Sequence, residues 1–126
     1  MGYLLVDDQR AARLLLRVFL IRQGVNFIEE AGDSISALRL LMATPQSQSP
    51  FHAVFISRQM PEMSGLELVR TIRQLPGWAQ FPIVIISEDN DAKLHFDAVA
   101  AGATDYLMRP FTEEELTDLL KRIGLK

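Results

Sequence analysis

Cysteine is absent from all 126 residues, which excludes disulfides and thiolate metal sites. No apolar run approaches the ~20 residues that a membrane-spanning helix needs. A basic stripe is missing too. The net charge is −3 with both signs scattered, so neither nucleic-acid binding nor attachment to a lipid surface is expected. The opening residues Met1-Gly2-Tyr3-Leu4-Leu5-Val6-Asp7-Asp8 carry acid where a secretory leader carries a basic region. A cytoplasmic protein, or a cytoplasmic domain of a larger one, is the expectation. Neither a Gly-rich phosphate loop nor a nucleophile-elbow pattern occurs, so a metabolic enzyme is not expected. The chain also lacks an internal linker and any low-complexity segment.

Hydrophobic residues make up 48% of the chain, enough for the core of one domain spanning residues 1–126. Five short apolar runs recur, and a helix-period segment follows each. They are Tyr3–Val6, Asn26–Glu29, Ala53–Ile56, Ile83–Ile86 and Asp105–Met108. The helical segments run over Gln9–Gln23, Ser34–Ala43, Gly65–Leu75, Ala92–Ala101 and Glu113–Ile123. In the first, Leu14, Leu15, Val18 and Ile21 recur at helix spacing and predict a buried stripe. Asp33 or Ser34, Ser64 with Glu67, and Thr112 are the expected N-caps, because a short side-chain oxygen accepts from free helix N–H groups. Thr44–His52 reads as a solvated loop, and Trp78 as the cover of a helix end. Five strand–helix alternations predict an α/β fold, a (βα)5 doubly wound five-stranded parallel sheet.

Open parallel sheets gather functional side chains at the carboxyl ends of their strands. Here those ends carry Asp7 and Asp8, then Ser57, then Ser87, then Tyr106 running into Arg109-Pro110-Phe111. Adjacent carboxylates suit a hard divalent cation such as Mg²⁺, and equally suit the positive end of a helix. A hydroxyl beside a cation suits an oxyanion.

With these ends in place, the chain resembles the receiver domain of bacterial two-component response regulators, from Tyr3 to about Ile123. The resemblance rests on Leu5-Val6-Asp7-Asp8, Met60-Pro61-Glu62-Met63-Ser64-Gly65-Leu66-Glu67, Ala101-Gly102-Ala103-Thr104-Asp105-Tyr106-Leu107 and Arg109-Pro110-Phe111, in that order. It implies the flavodoxin-like receiver fold, with Asp7 and Asp8 as the Mg²⁺-binding pair. It also implies Ser87 and Tyr106 as the switch pair, and a cis peptide before Pro110.

Two positions depart from the family. Its phosphoacceptor aspartate falls at Ser57, and Val54–Pro61 contains no acid that a shift of register could supply. Its phosphate-contacting lysine falls at Arg109. A serine hydroxyl needs a base to become a nucleophile, and a lost carboxylate lowers Mg²⁺ affinity. Arginine is larger, planar and always charged, and here it is expected to reach Asp7 or Asp8 and take over part of the metal's role.

The resemblance implies a protein-interaction or dimerisation module in signal transduction, not an enzyme, with at most weak Mg²⁺ binding. Its implied partners are another protein or an attached output or kinase domain. A homodimer is expected through the face of the fourth helix, fifth strand and fifth helix, at Lys93, Phe96, Val99, Tyr106, Glu114 and Asp118. Arg10, Arg13, Arg17 and Arg22 offer a basic side of the first helix as the alternative surface. Alternative readings are a conventional receiver disabled by an engineered Ser57, and control by serine phosphorylation or ligand binding.

Overall fold

The computed structural model describes residues 1–126. Strand β1 (Gly2–Val6) leads into helix α1 (Arg10–Arg22), and β2 (Phe27–Ala31) into α2 (Ser34–Met42). A single 3-10 turn at Gln46–Gln48 precedes β3 (Ala53–Ser57) and α3 (Gly65–Gln74). Then come β4 (Ile83–Ser87), α4 (Ala92–Ala101), β5 (Asp105–Met108) and α5 (Glu113–Arg122). All pairings are parallel, in the order β2-β1-β3-β4-β5. The five-stranded, doubly wound architecture and its parallel sheet stand as expected, with element ends moved by one or two residues.

Strands β1, β3 and β4 are buried along their whole length, because helices cover both faces of the sheet. Successive side chains therefore enter different layers. Leu4, Val6, Val54, Ile56, Ile83 and Ile85 meet α2, α3 and α4 in one core. Tyr3, Leu5, Phe55, Val84 and Ile86 meet Leu16 and Leu20 of α1 and Leu116, Leu119 and Leu120 of α5 in the other. The edge strand β2 keeps Glu29 and Glu30 outward, which guards an open ladder.

Three caps hold the helices where the sequence puts them. Asp33 accepts from the Ser36 backbone N–H, Ser64 from Glu67, and Thr112 from Glu115 with the reciprocal bond complete. Gly65 starts α3 so close to β3 that a Cβ there would lie 2.3 Å from the Ser57 carbonyl oxygen. Only glycine allows that approach.

Two expectations are corrected. The buried stripe of α1 is Leu16 and Leu20, with Phe19 half-buried beside them. Leu14, Leu15, Val18 and Ile21 are instead 59%, 50%, 42% and 52% exposed. Both sets have helix spacing, and the sheet lies under the first set only. The Thr44–His52 loop is not solvated throughout, since it sends Phe51 inward. Trp78 follows the end of α3 and is buried, its ring 4.7 Å from that of Phe81 in an edge-on contact. Phe51 in the loop before β3 is also buried, against Phe27.

Arg73 of α3 ties this end of the molecule together. Its guanidinium donates to the carbonyls of Gly102, Trp78 and Phe81 and to Thr104 Oγ1. No helix is long and apolar enough to cross a membrane.

Candidate functional site

The carboxyl ends of β1, β3, β4 and β5 converge as the sequence predicts. Asp7 follows β1 and is nearly enclosed. Its Oδ1 accepts from the Gln9 backbone N–H at 2.9 Å, and its Oδ2 from Arg109 Nη1 at 2.8 Å. The second guanidinium nitrogen, Nη2, donates to Ser57 Oγ at 3.2 Å. One arginine thus spans the carboxylate at the end of β1 and the hydroxyl at the end of β3. The side chains of the ion pair are 19% and 9% exposed for Arg109 and Asp7, so little water screens it. Asp8 is exposed and takes no part in the pair.

Ser57 is only 4% exposed. Its hydroxyl donates to the Gln59 carbonyl at 3.3 Å while accepting from Arg109. Neither neighbour can take a proton from it, so nothing bonded to Ser57 activates it as a nucleophile. Both Asp7 oxygens are engaged as well. A divalent cation needs several free oxygen ligands. Arg109 occupies Asp7 and Ser57, so of the expected acid pair only Asp8 keeps its carboxylate free toward the cleft.

Ser87 is buried at the end of β4, where its hydroxyl accepts from the Asp89 backbone N–H at 3.1 Å. Tyr106 is half-buried on β5. Its hydroxyl donates to the Asp89 carbonyl at 2.7 Å, and its ring stacks on His95 at 4.9 Å. The Asp89 backbone therefore links the two switch candidates. The Arg109–Pro110 peptide is cis.

An open cleft of about 610 Å³ lies over this edge, lined among others by Asp8, Ser57, Arg58, Ser87, Glu88 and Arg109. Arg58 was not singled out from the sequence. It follows the last residue of β3 and turns toward the loop after β4, where Nη1 lies 3.7 Å from Asp89 Oδ2. Its position directly after Ser57 at a strand's carboxyl end was the available signal. The Nε atoms of Arg58 and Arg109 are both buried without a protein acceptor. On the surface built by α4, β5 and α5, Lys93, Phe96, Val99, Glu114 and Asp118 are all exposed, as expected.

A doubly wound domain with acids, hydroxyls and a cation collected at one carboxyl edge defines a class of α/β module that takes its input at strand ends. The model of the response regulator receiver domain matches residues 3–121, and the chain belongs to that family. Among curated relatives it is 29% identical to a probable chemotaxis protein CheY of Rhizobium etli, over 95% of this chain and 89% of that one. It is likewise 29% identical to chemotaxis protein CheY1 of Helicobacter pylori, over 96% of this chain and 94% of that one. Among solved structures it superposes on chemotaxis protein CheY4 of Vibrio cholerae with a TM-score of 0.85, at 27% identity and 97% coverage of both chains. A probable two-component response regulator/GGDEF domain protein matches with a TM-score of 0.85 at 29% identity. The match covers 98% of this chain and 48% of that protein.

Proposed function

We propose that this receiver domain works by binding a protein partner and is not driven by an acyl phosphate on residue 57. The observation that carries the reading is the Arg109 guanidinium bonded to both Asp7 and Ser57. In the family, the equivalent space serves a phosphoaspartate and its cation. Here a tethered cation and a neutral hydroxyl stand in their place. Mg²⁺ binding is correspondingly weak, because a metal ion would have to displace a buried, doubly bonded arginine.

The parts that report a receiver's state remain. Ser87 and Tyr106 meet through the Asp89 backbone, His95 of α4 stacks on Tyr106, and Phe96 and Val99 expose apolar surface on the same helix. A partner that binds two arrangements of this face unequally shifts their populations without phosphorylation. Such a partner is a separate protein or an attached output or kinase domain. The match to half of a response regulator/GGDEF protein supports an attached one.

The test uses acetyl phosphate and Mg²⁺, read by intact mass. The chain as it stands should gain no phosphoryl group. An S57D/R109K double variant, which restores both the nucleophile and the compact cation, should gain one. Phosphorylation of the unaltered chain within the cleft, or tight Mg²⁺ binding by calorimetry, would overturn the reading.

A further inference from the structure

Arg58 carries a charge without an adequate partner. Its side chain is only 20% exposed, yet its Nε is buried with no acceptor. The one acid beside it, Asp89, stands 3.7 Å away at Oδ2, too far for a hydrogen bond. A guanidinium held this far from water costs stability until an anion meets its fork of donors. Ser87 is in a similar state. It is 3% exposed, and its hydroxyl accepts from the Asp89 N–H while its own hydrogen meets no protein acceptor. Strand pairing sets the two residues together, since the Arg58 N–H donates to the Ile86 carbonyl at 2.9 Å. Both line the open cleft over the sheet edge.

We propose that this cleft takes the carboxylate of an aspartate or glutamate side chain from the partner protein, with Arg58 and the Ser87 hydroxyl as its donors. The inference rests on the reading that a protein partner drives the domain, and it names what that partner presents. Arg109 is not free for the task, because its two terminal nitrogens are bonded to Asp7 and Ser57. Arg58 is free, and its planar fork grips a carboxylate through two parallel bonds.

Shape and charge narrow the occupant. The cleft is open and lined mainly by polar residues, whereas a site for a free small molecule is enclosed and mainly apolar. A side chain reaching in from a folded surface needs no such enclosure. Asp8 and Glu88 stand exposed at the rim and pair with no cation. They repel a multiply charged anion such as phosphate, and they favour an acid that has a basic residue beside it.

The site is also placed to report its occupancy. The Arg58–Asp89 contact stands between the cleft and a second groove, lined among others by Asp89, His95 and Tyr106. An incoming carboxylate competes with Asp89 for Arg58. Released from Arg58, Asp89 holds its loop less firmly, and its carbonyl is the acceptor of the Tyr106 hydroxyl. Binding in the cleft thereby alters the groove without a covalent step.

Amide NMR titrations of the whole chain test this, without Mg²⁺ or acetyl phosphate and at constant ionic strength. The probes are the blocked tetrapeptide Ala-Glu-Lys-Ala, its Gln counterpart and inorganic phosphate. The Glu peptide should bind with a Kd of about 1 mM, at least tenfold tighter than the Gln peptide. Shifts should centre on Arg58 and Ser87 and extend to His95 and Tyr106. R58M should abolish the preference for Glu, and R58K should weaken it several-fold. D89N should strengthen it several-fold by removing the competitor. Circular dichroism checks that each variant folds. Equal binding of the two peptides would overturn the proposal, as would a preference for Glu that survives R58M. Phosphate binding more tightly than the Glu peptide would overturn the carboxylate class. Shifts that stop short of Tyr106 would overturn the coupling. Phosphorylation of the unaltered chain by acetyl phosphate sinks the parent reading, whereas equal peptide binding sinks this one alone.

Discussion

Removing the Arg109 guanidinium would strand the Asp7 carboxylate, which has little water to turn to. Breaking a largely buried pair from one side leaves an uncompensated charge. Arg109→Ala should lower stability by about 3 kcal/mol near neutral pH, seen as a lower urea midpoint. Arg109→Lys should lose less, since it keeps the charge but cannot span both Asp7 and Ser57. The partners here are separated by 102 and 52 positions. Their meeting was legible only because strand ends of a parallel sheet collect at one edge and because arginine has the reach. Arg58 is less legible, because a charged residue one past a strand also looks like ordinary surface. Its half-buried position beside Asp89 depends on the loop after β4.

Helix ends offer a prediction of a different kind. The Ser36 backbone N–H, together with the Ser36 hydroxyl, holds the Asp33 carboxyl below its ordinary 3.8. The unfolded chain therefore takes up this proton first as the pH falls. The stabilisation is complete above the ordinary carboxylate value and is lost as pH drops through the lower folded value. In urea titrations, the gap between the unaltered chain and Asp33→Ala should be steady from pH 7 to about 5 and close below about 4. Arg73 acts between elements. Burial pulls its pKa down, but its hydrogen bonds to three carbonyls and Thr104 need the charged form. Arg73→Met would leave those acceptors without their donor and should cost about 3 kcal/mol, read from the same titration. Caps such as Asp33 and Thr112 were legible because their chemistry lies within three residues. The buried face of α1 was not. Leu14, Val18 and Ile21 satisfy a helical period as well as Leu16 and Leu20 do, and periodicity cannot say which side the sheet will cover.

At the scale of the whole molecule, the sheet works because two layers of helices bury alternate side chains of the same strands. That made the fold readable: near-continuous apolar runs such as Ile83–Ile86 need cover on both faces, and the five helical segments supply it. Gly65 couples this packing to the cleft. Gly65→Ala would press a methyl group against the Ser57 carbonyl and force β3 and α3 apart. A loss of about 2–3 kcal/mol is expected, with backbone amide shifts in NMR spectra centred on Ser57 and Arg58. The loop residues Phe51 and Trp78 were not readable, since they enter the core from segments without any period.

The span of Arg109 across two strand ends also sets how a cation is held in the cleft. A magnesium ion is borrowed from solution, so its occupancy follows its concentration. A guanidinium built into the chain is present at a fixed and high effective concentration. Restoring only an aspartate at position 57 would hand that arginine a second carboxylate to hold, tightening its grip. On the proposed reading, S57D alone should therefore gain less phosphoryl group from acetyl phosphate than the S57D/R109K pair, because in the single variant the arginine is held from both sides.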